Sequence, residues 1–228
     1  MNLRRTSPVL TTLLATVLAG SAHAQSGLAV TASLGTTGAG LHLVVPMESD
    51  VNGRFGANFL RHGFDKRSGD IDYDADATLR SVDVLFDWYV VPGSPFRLTG
   101  GIMYNGNEVT GHARAGGDGY YHLGGRRYSA ATVGSLDAQV DFQKAAPYIG
   151  IGWGNALAAE RGWGVQADLG TFYQGNAHVK LGNTGCRAER VTCIVFASDI
   201  AAEEARLKEE LSEHKFYPVL RASLSYRF

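Results

Sequence analysis

Eight charged residues recur at strand-like spacing within largely apolar stretches: Arg54, Asp83, Asp87, Arg97, Asp141, Asp168, Arg221 and Arg227. A β-strand sends successive side chains to opposite faces, so each of these falls on the polar side of its own segment. Four acids and four bases on one face can neutralise one another. They must do so if that face is buried, because an unpaired buried charge costs several kcal/mol. The same groups could instead line a narrow hydrated path. A one-residue slip in register would turn any of them to the other face.

Other reactive types are sparser. His62, His112, His122 and His178 fall near strand ends at one predicted rim, with Asp70, Asp72 and Asp74 within reach of His62. No Gly-x-Ser-x-Gly or His-Glu-x-x-His occurs, and no residue stands out as a nucleophile, so no catalytic set is expected. Cys186 and Cys193 are the two cysteines, and in an exported chain they are expected to form a disulfide rather than a metal site. The segment 109–134 is rich in Gly, Tyr and Arg. Its glycines lack the strand-to-helix context of a phosphate cradle, and a projecting hairpin is the simpler expectation. Arg114, Arg126 and Arg127 there could meet lipid phosphates or simply be solvated. No cofactor is implied.

The elements that must position these groups are strands. Alternation predicts eight, at about 27–35, 40–48, 53–63, 73–91, 96–108, 137–153, 163–175 and 215–228. The last is the cleanest: Phe216, Leu220, Leu224, Tyr226 and Phe228 oppose Lys215, Arg221, Ser223 and Arg227. In the sixth the apolar phase shifts near Lys144 to Pro147, which predicts a β-bulge. The stretch 198–214 breaks the pattern. Ile200, Leu207 and Leu211 share a helical face, Ser198 is a candidate cap, and Glu204 and Lys208 form an i,i+4 pair. An amphipathic helix is expected there.

Arg4 and Arg5, an apolar run from Val9 to Ala19 and Ala22-His23-Ala24 predict a Sec-type signal peptide cleaved after residue 24. Without it, 19 basic and 22 acidic side chains remain, which gives no reason to expect a nucleic-acid partner. Predicted connections near 48–53, 92–95 and 156–162 are short, whereas those at 109–134 and 182–214 are long. Short turns on one side and long loops on the other suit a barrel spanning a membrane. The turn at 36–39, on the long-loop side, is an exception. Trp88, Trp153 and Trp163, with Tyr226 and Phe228, gather at the short-turn ends, as an aromatic girdle requires. A soluble β-sandwich is the competing architecture.

The ending Tyr226-Arg227-Phe228 resembles the terminal signature of bacterial outer-membrane β-barrels. Residues 26–228 as a whole resemble small eight-stranded barrels of the OmpA-transmembrane, OmpX or OmpW kind. The stretches Asp83 to Tyr89, Phe96 to Asn107, Pro147 to Gly154 and Tyr217 to Phe228 are also similar to an uncharacterised outer-membrane group with an acidic helix before its final strand. The resemblance implies an all-β, eight-stranded antiparallel up-and-down transmembrane barrel over 25–228, located in the outer membrane of a Gram-negative cell. It also implies lipid and lipopolysaccharide as surroundings, and Phe228 as the residue read by the outer-membrane assembly machinery. The His-x-Ser-Asn motif of lipid A deacylases is absent. The expected role is structural or surface-interacting, as a monomer with a filled lumen. A narrow channel and a lipid-modifying enzyme are the alternatives.

Overall fold

The computed structural model describes residues 27–228 except 69, 70 and 159, so the expected leader at 1–24 lies outside the described residues. The strands are β1 (Ala29–Gly35), β2 (Gly38–Pro46), β3 (Val51–Ser68), β4 (Ile71–Trp88), β5 (Phe96–Asn105), β6 (Glu108–Arg114), β7 (Tyr120–Leu123), β8 (Arg126–Ser129), β9 (Ser135–Asp141), β10 (Ala145–Trp153), β11 (Gly162–Tyr173), β12 (His178–Thr184) and β13 (Phe216–Arg227). A short helix α1 (Ala130–Val133) precedes β9, and a long helix α2 (Arg190–Leu211) precedes β13.

Eleven strands form one antiparallel sheet, and β7 with β8 makes a separate hairpin. Neighbours run β1 to β2, β3, β4 and β5 in order. From β5 the ladder continues to β10, β11 and β13, and β13 pairs with β1. The long strand β4 changes partner along its length: Ser81–Trp88 pairs with β5, whereas Asp72–Thr78 pairs with β6. Beyond β6 come β9 and then β12. These last three strands and the upper halves of β3 and β4 form a layer at the end remote from Leu28 and Phe228, called here the upper end.

The alternation in the sequence resolves into two unlike faces. On β13, Val219, Arg221 and Ser225 are buried, while Leu220 and Phe216 stay 60% and 63% exposed. The same inversion recurs on β11, where Asp168 is buried and Val165 is 76% exposed. Apolar side chains face outward and polar ones inward, opposite to a soluble sandwich.

The upper layer has an apolar core of its own. Tyr73, Tyr121, Leu123, Tyr128, Val133, Leu136, Phe196 and Ile200 are buried together. Phe196 and Ile200 come from α2, which explains why that helix begins at Arg190 rather than near 198. Val191, Thr192, Ile194 and Val195 read locally as strand, since β-branched residues disfavour helix. Burial of Phe196 and the Cys186–Cys193 disulfide at the first turn outweigh that preference. Ser198 consequently lies inside the helix, and Glu189 occupies the N-cap position.

The fifth predicted strand ends at Asn105, and β6 falls in the stretch 109–134 expected as a projecting hairpin, where it joins the main sheet; the sixth predicted strand divides into β9 and β10. The phase shift near Lys144 is therefore a change of ladder instead of a bulge. β9 pairs with β6 and β12, and β10 pairs with β5 and β11.

Truncation of Phe196 to Ala should cost roughly 3–5 kcal/mol within the upper layer. Hydrogen exchange of α2 amides should accelerate while those of β11 and β13 stay protected. Equal acceleration in both places would show that the two layers unfold as one unit.

Candidate functional site

Register alone brings distant charges together on the inward face. Arg54 stands on β3, Asp83 and Asp87 on β4, Arg97 on β5, Asp168 on β11 and Arg221 on β13. Arg54 donates from Nη1 and Nη2 to the two carboxylate oxygens of Asp168, each at 3.1 Å, and from Nη2 to Asp87 Oδ1 at 3.0 Å. Arg97 Nη2 reaches Asp168 Oδ1 at 2.7 Å, and its Nε lies 3.2 Å from Asp87 Oδ1. Thr99 donates its hydroxyl to Asp87 at 2.6 Å, and Arg97 also donates to the Gly154 carbonyl.

A second group stands beside it. Asp83 Oδ2 accepts from Asn58 Nδ2 at 2.9 Å and lies 3.1 Å from His42 Nε2 and 3.5 Å from Arg221 Nη2. The side chains of Arg54, Asp83, Asp87, Arg97, Asp168 and Arg221 are all at most 4% exposed. Such burial is tolerable because the three guanidinium groups balance the three carboxylates, and the pairing is largely multidentate.

Two residues expected in this network stand apart. Asp141 ends β9 on the upper layer, half-buried, with Lys144 at 3.7 Å and His178 at 3.4 Å. The ladder change at 142–144 carries it away from the inward face. Arg227 donates to the Leu157 carbonyl instead. One residue was missed as a network member: His42, 2% exposed, lies between Asp83 and Arg221. Its signal was there, as the polar residue opposite Leu41, Leu43 and Val45 on β2.

The network is covered on two sides. Beside it Leu85, Met103, Ala146, Tyr148, Phe172 and Val219 are buried together, with Tyr217 stacked on Phe172 at 4.9 Å. Below, the turn after β10 folds inward: Asn155 accepts from Asn52 at 3.1 Å, and Ala156 packs on Ala29 and Val44. Gly152 gives Arg97 its room, since a Cβ there would lie 2.7 Å from the guanidinium carbon.

The five aromatics expected as a girdle lie at the lower strand ends. Trp163 meets Tyr226 at 5.0 Å and Tyr226 meets Phe228 at 5.2 Å, both edge-to-face. Trp88 Nε1 donates to Asp50 at 2.9 Å, and Trp153 is 60% exposed.

Among the described residues, the upper histidines pair with carboxylates or stack on a ring. His112 Nδ1 lies 2.6 Å from Asp137, yet the nearby Ser135 hydroxyl bonds the other oxygen of that carboxylate. His122 lies 3.6 Å from Asp118, and His62 stacks on Phe64. The loop arginines are matched by neighbours: Arg126 with Asp199, Arg127 with Asp118, and Arg114 with Asp65 and Asp74. Asp199 also accepts from the Tyr128 hydroxyl at 2.6 Å, which fastens α2 to the β7–β8 hairpin. Partial burial would raise its carboxyl, but the bonds from Tyr128 and Arg126 outweigh that and hold it below the ordinary range.

No family model and no curated protein matches the chain. Among solved structures it is similar to CarO2 of Acinetobacter baumannii, with a TM-score of 0.56 and 20% identity over 89% of this chain and 98% of that one. CarO of the same organism gives a TM-score of 0.50 and 19% identity over the same shares. At that identity the likeness to CarO is one of fold. It does not select the OmpA, OmpX or OmpW group.

Asp168→Asn leaves Arg54 and Arg97 short of one buried charge and should destabilise the fold by roughly 3–5 kcal/mol. Denaturant unfolding in detergent micelles measures this; a loss under about 1 kcal/mol would mean that water reaches the site. Because the Asp199 carboxyl is lowered in the folded state, its contribution is complete above about pH 4 and fades as pH falls through the lowered value. Exchange protection of α2, corrected for intrinsic rates, should fall over that window, and Asp199→Asn should flatten the dependence.

Proposed function

We propose that the chain is an integral outer-membrane β-barrel protein whose lumen is filled by its own side chains, with a structural or surface-interaction role. The observation that carries this reading is the inverted pair of faces around a ring of ladders. β1, β2, β3, β4, β5, β10, β11 and β13 each pair on both sides, and the last returns to the first. An eight-stranded closed barrel accounts for that ring, and its interior is just wide enough to be filled by side chains.

Lipid is the cover that the outer face demands. Leu41, Phe59, Ile102, Ile149, Val165 and Leu169 are each 57% or more exposed, a surface too apolar for water. The 12-residue strands β11 and β13 suffice to cross a tilted bilayer span of about 9–11 residues. The girdle aromatics mark the periplasmic boundary in this reading, which puts the upper layer outside the cell. The ion network, the apolar cluster beside it and the inward turn below it argue against a conducting path. We take the protein to be a non-catalytic monomer, delivered by the assembly machinery through its C-terminal strand.

Heated and unheated protein should migrate differently on a detergent gel, as closed membrane barrels do. In planar bilayers the purified protein should be silent. Identical migration would remove the barrel reading, and steady single-channel steps would replace the filled lumen with a channel.

A further inference from the structure

We propose that the outer wall carries a binding site for a phosphate-bearing membrane lipid. An open apolar groove holds its acyl chains, and Arg61 and Arg80 hold its headgroup. The inference rests on the membrane reading above and gives the wall one specific occupant.

The groove crosses four strands and has a volume of about 880 Å³. Register aligns its upper row: Ala222 on β13 partners Leu34 on β1, Leu34 partners Ala39 on β2, and Ala39 partners Phe59 on β3. Alanines form the floor, with Ala57 one row lower, and Leu34 and Phe59 stand as walls 69% and 57% exposed. The volume falls within the range of clefts that take small organic ligands, enough for part of an acyl chain region.

The row ends in a cation. Phe59 partners Arg80 on β4, and Arg61 stands two residues above Phe59 on the same face. Both guanidinium groups remain largely in the open, 67% and 60% exposed. Asp76 lies 3.7 Å from Arg61, and Glu108 lies 3.8 Å from Arg80, too far for directed hydrogen bonds. Arg80 Nε donates to the Gly106 carbonyl at 3.1 Å, which steadies that side chain. Arginine is the residue suited to bidentate recognition of phosphate.

The short turn between β1 and β2 makes room for the headgroup. β2 begins at Gly38 and pairs with β3 only as far as Phe59, whereas β3 continues to Ser68. Above Phe59 the edge of β3 on that side has no partner strand among the described residues. A notch thus opens over the turn, directly above the groove and beside Arg61. Charge and notch stand directly above the apolar volume on the wall. A lipid with its phosphate at the outer boundary and its chains below fits all three.

Native mass spectrometry of the full chain in detergent tests this, with bisphosphorylated lipid A, the same lipid stripped of phosphate, and inorganic phosphate as probes. One bisphosphorylated lipid should be retained, and the stripped lipid should bind at least about tenfold more weakly. The double variant Arg61→Gln/Arg80→Gln and the groove-filling Ala57→Phe should each lower retention by about tenfold or more. Equal retention of the stripped lipid, equal retention by either variant, or capture of inorganic phosphate as readily as lipid would overturn the site. Heat-dependent gel migration is recorded for every variant. If migration still shifts but no lipid is retained selectively, only this site fails. If migration does not shift in the parent protein, the membrane reading fails first and the site with it.

Discussion

Six fully charged side chains can remain inside this sheet only if each is answered by an opposite charge at hydrogen-bond distance. That demand fixes much else. Asp168 has to lie opposite Arg54 and Arg97, which come from strands more than 70 positions earlier in the sequence. A register error of one residue on β11 would send Asp168 outward and put an apolar neighbour among guanidinium groups. Electrostatics inside and apolar side chains outside therefore select the same register. Neither face could be satisfied by another.

The interior is built in tiers, and each relies on the one beside it. Arg97 can lie flat across the space because Gly152 presents no side chain to it. The Gly154 carbonyl then becomes its acceptor, and the turn that supplies this carbonyl also brings Asn155 to Asn52. The apolar cluster beside the ion pairs, around Leu85, Met103 and Phe172, keeps water from them and so preserves their strength. The upper layer is stabilised differently, by an aromatic and aliphatic core with peripheral ion pairs and one disulfide.

Much of this was legible in the alternation of residue types. Six of the eight expected network charges lie together, because strict period-two patterns on β3, β4, β5, β11 and β13 define which side chains share a face. The failures have a common cause. Asp141 sits beyond a change of strand partner, and a local pattern carries phase but not the identity of the neighbouring strand. Arg227 has the right face but lies at a strand end, where a turn carbonyl offers a closer acceptor. The helix was placed late because Val191 to Val195 read as strand until the burial of Phe196 is known. His42 was visible as a polar residue facing inward, but its tie to Asp83 and Arg221 depends on three strands meeting.

The continuous run of β4 through both regions has a consequence for how this chain can change length. Tyr73 in the upper core, the buried Ala75 beside it, and Asp83, Leu85 and Asp87 below all occupy odd positions of one uninterrupted strand. A single residue inserted between Leu79 and Arg80 would rotate Tyr73 and Ala75 out of burial while leaving Asp83 and Asp87 in place. Two inserted residues would restore both sides. Length variation along this strand is thus governed by parity, and divergent relatives should differ there in steps of two.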